Sequence, residues 1–276
     1  MGFDFMQDYR HRPRSTRRAK RSRDCKTKTA RGFSRRHNLY RDRRRRGGQP
    51  GFFRRQRRSD CDQHRNKRSV RTIDRGNAIP FGLFRYAVDQ EQTVLGGAVS
   101  NAGNLRRWCL RELRLQTETL SRTAAAADEI VVLPFWVNER APTWPENLRG
   151  TIVGLTQATS APQILRATSC SVFYRLAGIL ELIETTAGKA SEIIVSGGIL
   201  HSYASLCLLA DALGRDLHVS PEAEASLRGA AVYVLEKMGR QVSPLRVGKL
   251  IRHNRTLARK HRFRRERQEL LEKLLS

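Results

Sequence analysis

The stretch Glu192-Ile-Ile-Val-Ser-Gly-Gly198-Ile-Leu-His-Ser202, followed by Leu206-Cys-Leu-Leu-Ala-Asp-Ala-Leu-Gly214, decides the fold class of this chain. A β-branched apolar run breaks at a glycine pair, and an amphipathic segment with helical spacing then begins and stops on a glycine. That order predicts a strand, a tight turn and a helix. Gly197 and Gly198 carry no Cβ, so the backbone there can take positive φ and come close to a ligand. The helix behind them aims its free N–H groups and positive dipole end at the same place, which suits phosphate or a nucleotide.

Working outward, the same alternation repeats. Leu83-Phe-Arg-Tyr-Ala-Val-Asp89 and Thr93-Val-Leu-Gly-Gly-Ala-Val99 predict a hairpin. Residues 101–113 place Leu105, Trp108, Cys109 and Leu113 on one helical face, with Gly103 at the opening turn. Ile130-Val-Val-Leu133 and Gly150-Thr-Ile-Val-Gly-Leu-Thr156 predict further strands. Ser160 and Pro162 then open a long helix carrying Leu165, Val172, Leu176, Ile179, Leu180 and Ile183, which stops near Gly188. A short strand at Leu217-His-Val219, a small-residue helix over 223–238 and a surface helix over 253–275 complete the pattern. Strands alternating with helices predict an α/β layer structure with a mostly parallel sheet, and ligands in such sheets sit at the carboxyl ends of the strands.

Charge divides the chain into three parts. The formal net charge is +27, but residues 1–71 hold 26 basic against 6 acidic side chains and residues 246–276 hold 11 against 3. The intervening 72–245 is nearly neutral, with 16 basic against 17 acidic residues. Residues 1–71 lack apolar periodicity, so they are expected to stay disordered unless an anion orders them. Such a head could serve as a nucleic-acid-binding arm, with Tyr40, Phe52 and Phe53 stacking on bases.

Five cysteines (Cys25, Cys61, Cys109, Cys170 and Cys207) form no CxxC pair, which argues against a disulfide framework and for reduced thiols. Cys61 and His64 have C-x-x-H spacing without a second pair at finger distance, so no zinc site is assigned. No apolar run approaches the roughly 18 residues of a membrane span, and the N-terminus lacks the apolar core of a signal peptide. The expectation is a cytoplasmic protein without a membrane partner. His201 reads as a solvated turn residue, Asp211 as a structural partner near a helix end, and Trp136 and Trp144 as packing residues.

Several motifs in fixed order resemble the second half of FGGY-family carbohydrate kinases. They are Glu139-Arg-Ala-Pro-Thr-Trp144, Arg149-Gly-Thr-Ile-Val-Gly-Leu-Thr156, Ile164-Leu-Arg-Ala167, and Val195-Ser-Gly-Gly198 with Ser202 and Leu209-Ala-Asp-Ala-Leu-Gly214. The similarity runs from about Val70 to the tail. Val172-Phe-Tyr-Arg-Leu-Ala177 and Arg265-Glu-Arg-Gln-Glu-Leu-Leu271 are most similar to gluconokinase-like members. The resemblance implies an actin-like ATPase (ribonuclease H-like) α/β fold, of which this chain matches a single C-terminal half, the nucleotide-side domain, over 72–245, with a basic helical tail over 246–276.

It implies ATP, with Mg²⁺ accompanying the nucleotide, and γ-phosphoryl transfer to a sugar or sugar-acid hydroxyl, gluconate first. The sugar itself would sit mainly on the first domain. Carried over by position, Gly197, Gly198 and Ser202 would line the adenosine side, while Gly103 and Arg107 would border the phosphates or ribose. The family's catalytic Asp precedes a Gly-Thr-Ser-Gly-like turn, but here Gln63-His-Arg-Asn-Lys-Arg68 occupies the turn and the basic head occupies the Asp motif. No base is carried over, and Asp42 matches nothing in the motif. The expectation is therefore a truncated chain, inactive alone, whose head is read out of frame. The alternatives left open are a nucleic-acid-binding protein using the basic head and tail on a non-catalytic actin-like domain, and a non-catalytic module that binds ATP and a protein partner.

Overall fold

A computed structural model describes residues 58–64, 67–115, 120–122, 129–144, 147–222, 225–243 and 248–276. The head up to residue 57, where most of the expected disordered segment falls, lies outside the described residues. Seven strands form one twisted mixed sheet: β1 (Arg58–His64), β2 (Lys67–Asp74), β3 (Phe84–Ala87), β4 (Thr93–Val99), β7 (Glu192–Val195), β8 (Leu217–Val219) and β9 (Leu250–Ile251). Their spatial order is β3-β4-β2-β1-β7-β8-β9. Two further strands, β5 (Val131–Leu133) and β6 (Thr151–Val153), make a separate antiparallel ribbon.

Only β1–β7 and β7–β8 pair in parallel, and the other ladders are antiparallel. The expected mostly parallel sheet is thus corrected. Its first half is a meander whose short turns reverse the chain without a crossover helix.

The sheet also crosses both composition boundaries. β2 pairs with β4 from Arg68↔Val99 to Asp74↔Thr93, so the 71/72 boundary falls inside a strand. β1 pairs in turn with β2. The disorder expected of residues 58–64 and 67–71 is therefore corrected to two strands. Paired backbone groups on both flanks supply what the sequence lacks in apolar alternation. At the other end β9 pairs with β8 through Leu217↔Ile251, drawing the basic tail into the sheet.

Helix α2 (Ala161–Ala187) lies across the sheet and supplies most of the core. It opens at Ser160, as expected, with a capping box in which the Ser160 backbone N–H donates to Gln163 Oε1 at 2.6 Å. Phe173, Leu176, Ile179 and Ile183 are buried, and Gly97 of β4 leaves room for Ile179, whose Cγ2 would lie 2.7 Å from a Cβ there. Helices α1 (Gly103–Glu112) and α3 (Tyr203–Leu213) pack beside α2, α4 (Ala225–Lys237) follows β8, and α5 (Arg255–Leu275) packs on α3 and α2.

The tail helix is the surface helix expected, with a polar stripe turned inward. His261, Gln268 and Glu272 are buried, whereas Phe263, Leu270, Leu274 and Leu275 face outward. Polar partners set that orientation. Tyr174 Oη lies 2.8 Å from His261 Nδ1, Gln268 Nε2 donates to Ser171 O at 3.3 Å, and Arg175 Nη1 donates to Glu272 Oε2 at 2.8 Å. Among the described residues no helix is long and apolar enough to cross a membrane.

Candidate nucleotide site

Strands β1, β7 and β8 run in one direction, and so does β4, because it is antiparallel to β2, which is antiparallel to β1. Their carboxyl ends therefore share one edge of the sheet. The chain leaves β4 there through residues 100–102 into α1, and leaves β7 through Ser196 and the glycine pair into α3.

The turn after β7 has the geometry expected of it. Gly197 sits at φ +82°, where an L side chain is strained. Gly198 begins a single 3₁₀ turn, Gly198–His201, closed by Leu200 N–H to Gly197 O at 3.1 Å and Ser202 N–H to Ile199 O at 3.0 Å. Ser202 is the N-cap of α3, its hydroxyl accepting from Ser205 N–H at 3.2 Å. Ser196 is 3% exposed and its hydroxyl has no hydrogen-bond partner among the described residues. Buried hydroxyls seldom stay unpaired, so a bound polar group suits this turn.

The turn after β4 is held by a side chain that the sequence reading did not single out. Glu139 is 4% exposed and accepts from Ser100 N–H at 2.5 Å, from Asn101 Nδ2 at 3.0 Å and from Arg140 N–H at 2.8 Å. Asn101, fully buried, also donates to Val137 O at 2.9 Å and accepts from Val137 N–H at 3.0 Å. One carboxylate thus fixes where α1 begins. Its only signal in the sequence was membership of the Glu139–Trp144 motif.

Between these turns lies a cleft lined by Arg68, Ala102, Leu105 and Arg106, by Thr168, Ser169, Val172 and Phe173 of α2, and by Ser205 of α3. It brings the openings of α1 and α3 to one place. The lining is shifted from the residues named in advance: Ala102 and Arg106 stand where Gly103 and Arg107 were expected, and Ser205 stands where Ser202 was. Arg107 is exposed; consecutive helix positions differ by about 100° in direction, so Arg106 faces the cleft and Arg107 faces away from it. Arg68 is 7% exposed, with its guanidinium 4.9 Å above the Phe173 ring. The lining holds two arginines, three hydroxyls and no carboxylate, a composition suited to an anionic ligand.

The remaining candidates separate cleanly. Asp211 is fully buried and takes a bidentate contact from Arg122, with Nε and Nη2 each at 2.7 Å, plus Asn254 N–H at 2.7 Å, so it is the structural partner expected. His201 is exposed in the glycine turn. Trp136 packs edge-on against Trp108, whereas Trp144 is 49% exposed, so the packing role expected of it is corrected.

Residues 76–235 match the profile of the FGGY family of carbohydrate kinases, C-terminal domain, which covers more than half of the chain. The chain belongs to this family. Among curated FGGY relatives, a glycerol kinase from Streptococcus agalactiae is 29% identical over 144 residues, 50% of this chain and 29% of the relative. A gluconokinase from Bacillus subtilis is 27% identical over 191 residues, 62% of this chain and 37% of the relative.

Of solved structures, gluconate kinase from Lactobacillus acidophilus aligns with a TM-score of 0.70 at 22% identity, over 79% of this chain and 47% of that one. Glycerol kinase from Plasmodium falciparum, solved with ADP, aligns with a TM-score of 0.59 at 17% identity, over 83% and 49%. The fold is that of the FGGY kinases, the actin-like ATPase fold, and the chain spans less than half the length of these relatives.

Proposed function

We propose that this chain is the ATP-binding half of a carbohydrate kinase that transfers the γ-phosphoryl group of ATP to a hydroxyl of a sugar or sugar acid, gluconate being the acceptor. The observation that carries the reading is the shared edge where the α1 and α3 openings, the Gly197 turn and the cationic cleft meet. Gly197, Gly198 and Ser202 would border the adenosine, with Ser196 offering its unpaired hydroxyl. Gly103 and Arg107 remain at the α1 opening, and Arg68 and Arg106 would face the phosphates. Mg²⁺, arriving with the nucleotide, would neutralise phosphate charge.

The chain's own residues would position and neutralise the donor. A base for the acceptor hydroxyl is not assigned to any residue of this chain. Where the family has a Gly-Thr-Ser-Gly-like turn, this sequence carries Gln63-His-Arg-Asn-Lys-Arg68 instead. The chain by itself is therefore inactive in transfer, and the acceptor is completed by a first domain. Its setting is the cytoplasm, where ATP is available. The nucleic-acid reading rests on net charge alone and is not carried further.

Calorimetric titration of the full chain with Mg·ADP tests the assignment. Saturable one-to-one binding is the expected result; a folded chain that takes no ADP would overturn it.

A further inference from the structure

Helix α5 carries eight Lys and Arg against three Glu, and three of its large apolar side chains lie on the side away from the domain. At about 100° per residue, Phe263, Leu270 and Leu274 fall within about 40° of one another, and His261, Gln268 and Glu272 fall on the opposite side. The second group is the buried one. Phe263 is 61% exposed, Leu270 58% and Leu274 73%, so an apolar line about 17 Å long runs along the outside of the molecule.

The helix cannot roll to hide that line. Its inner side is held by the Tyr174 and His261 contact and by the Arg175 to Glu272 ion pair, in which both side chains are nearly buried. Its start is fixed as well: Asn254 caps the first turn by accepting from Leu257 N–H at 3.0 Å, while its own N–H donates to Asp211 at 2.7 Å. A roll would strand the buried Arg175 charge without its carboxylate.

Cations flank the apolar line on both sides. Arg255, Arg259, Arg262 and Lys273 lie to one side and Lys260 to the other, all exposed, against two exposed carboxylates, Glu266 and Glu269. Arg265 and Arg267 are engaged with Glu181 and Glu129 and are left out of this count. Nucleic acid would satisfy the cations and leave the apolar line in water, whereas an apolar protein groove would cover the line and bury the charges. An anionic bilayer surface takes both. Its acyl boundary accepts the apolar side chains, and long Lys and Arg stems reach sideways to its phosphates.

We infer that α5 is a docking surface for an anionic lipid bilayer, on which the helix lies in the plane of the interface. Phe263, Leu270 and Leu274 enter the boundary between headgroups and acyl chains, and the flanking cations meet lipid phosphates. The sequence reading expected no membrane partner because no segment is long enough to span one; a helix that lies in the interface needs no such length.

The test sediments the full chain with vesicles of phosphatidylcholine alone and of phosphatidylcholine containing about one-quarter phosphatidylglycerol. Partitioning onto the anionic vesicles is expected to exceed that onto neutral ones by about tenfold or more. The triple variant Phe263→Ser, Leu270→Ser, Leu274→Ser should lose about tenfold of it. That variant keeps the net charge, so the electrostatic pull of the basic head is the same, and its three positions are exposed, so an unchanged thermal midpoint is expected. Arg259→Gln with Lys260→Gln should weaken the anionic binding and reduce its salt dependence. Vesicle binding indifferent to the serines would overturn the inference, since charge alone would account for it, and so would equal binding to neutral vesicles. A DNA duplex bound more tightly than the vesicles, with both indifferent to the serines, would assign the cations to nucleic acid and overturn it as well.

Discussion

Glu139 and Asn101, 38 residues apart in sequence, form one buried unit: the Asn101 side chain donates to Glu139 Oε2 at 3.0 Å while its backbone N–H reaches the same oxygen at 3.3 Å. Through this unit the irregular segment after β5 dictates where α1 starts, and so where Ala102 and Arg106 enter the nucleotide cleft. Glu139→Ala would leave these buried N–H groups without an acceptor, at a cost of about 3 kcal/mol. Urea denaturation should show that loss, and Mg·ADP affinity should fall at least tenfold in the folded variant. Unchanged affinity would show that α1 is placed by packing alone.

Gly198 lies outside the left-handed region that Gly197 occupies, so its backbone accepts a side chain without that strain. Gly198→Val is expected to abolish ADP binding while the thermal midpoint stays within a few degrees of the parent. A mutant with parental ADP affinity would move the adenosine elsewhere.

Burial holds the His261 imidazole down to about 4, helped by the positive charges of Arg264 and Arg166. The folded value lies below the ordinary 6.5, so the unfolded chain binds the extra proton between those limits. Stability supported by the neutral ring is thus fully present above about pH 6.5 and is lost as the pH falls toward 4. The loss is on the order of 3 kcal/mol. Chemical denaturation at pH 7 and pH 4.5 should register most of it, and His261→Gln should flatten the difference. An equal slope in the variant would assign the acid sensitivity to other groups.

Arg122 supplies the counter-charge to Asp211, which is fully buried. Arg122→Met leaves that carboxylate with the Asn254 N–H as its remaining partner and is expected to cost about 3 kcal/mol. The double variant Arg122→Met with Asp211→Asn should recover part of it, since the uncompensated charge is gone. Additive losses in a double-mutant cycle would contradict that coupling.

The segments that reported themselves in the sequence were those whose burial follows one period. The run 192–214 gave strand, glycine turn and capped helix in the right places, and the Ser160 capping box opened α2 where expected. Residues 58–71 did not, because a strand rich in arginine between two partners shows no alternation. The tail was legible as a surface helix, but not which face it buries: an ion pair and hydrogen bonds to α2 turn Glu272, His261 and Gln268 inward. The glycine turn was legible, but the lining of the recess between the α1 and α3 openings was not. Whether Arg106 or Arg107 faces the cleft depends on helix phase, and Glu139 acts through backbone groups that no side-chain pattern displays.

The tail also bears on biosynthesis. Arg175, buried in α2, is hydrogen-bonded to the Glu272 carboxylate, 97 residues later in the chain, and both meet the Thr143 hydroxyl from the loop after Glu139. At ribosomal speeds of roughly 5–20 residues per second, that cation waits on the order of 5–20 s for its partner. During the interval the α2 surface around it stays hydrated and open. Helix α5 thus acts as a clasp, and the packing around Arg175 is completed only once Glu272 has been made.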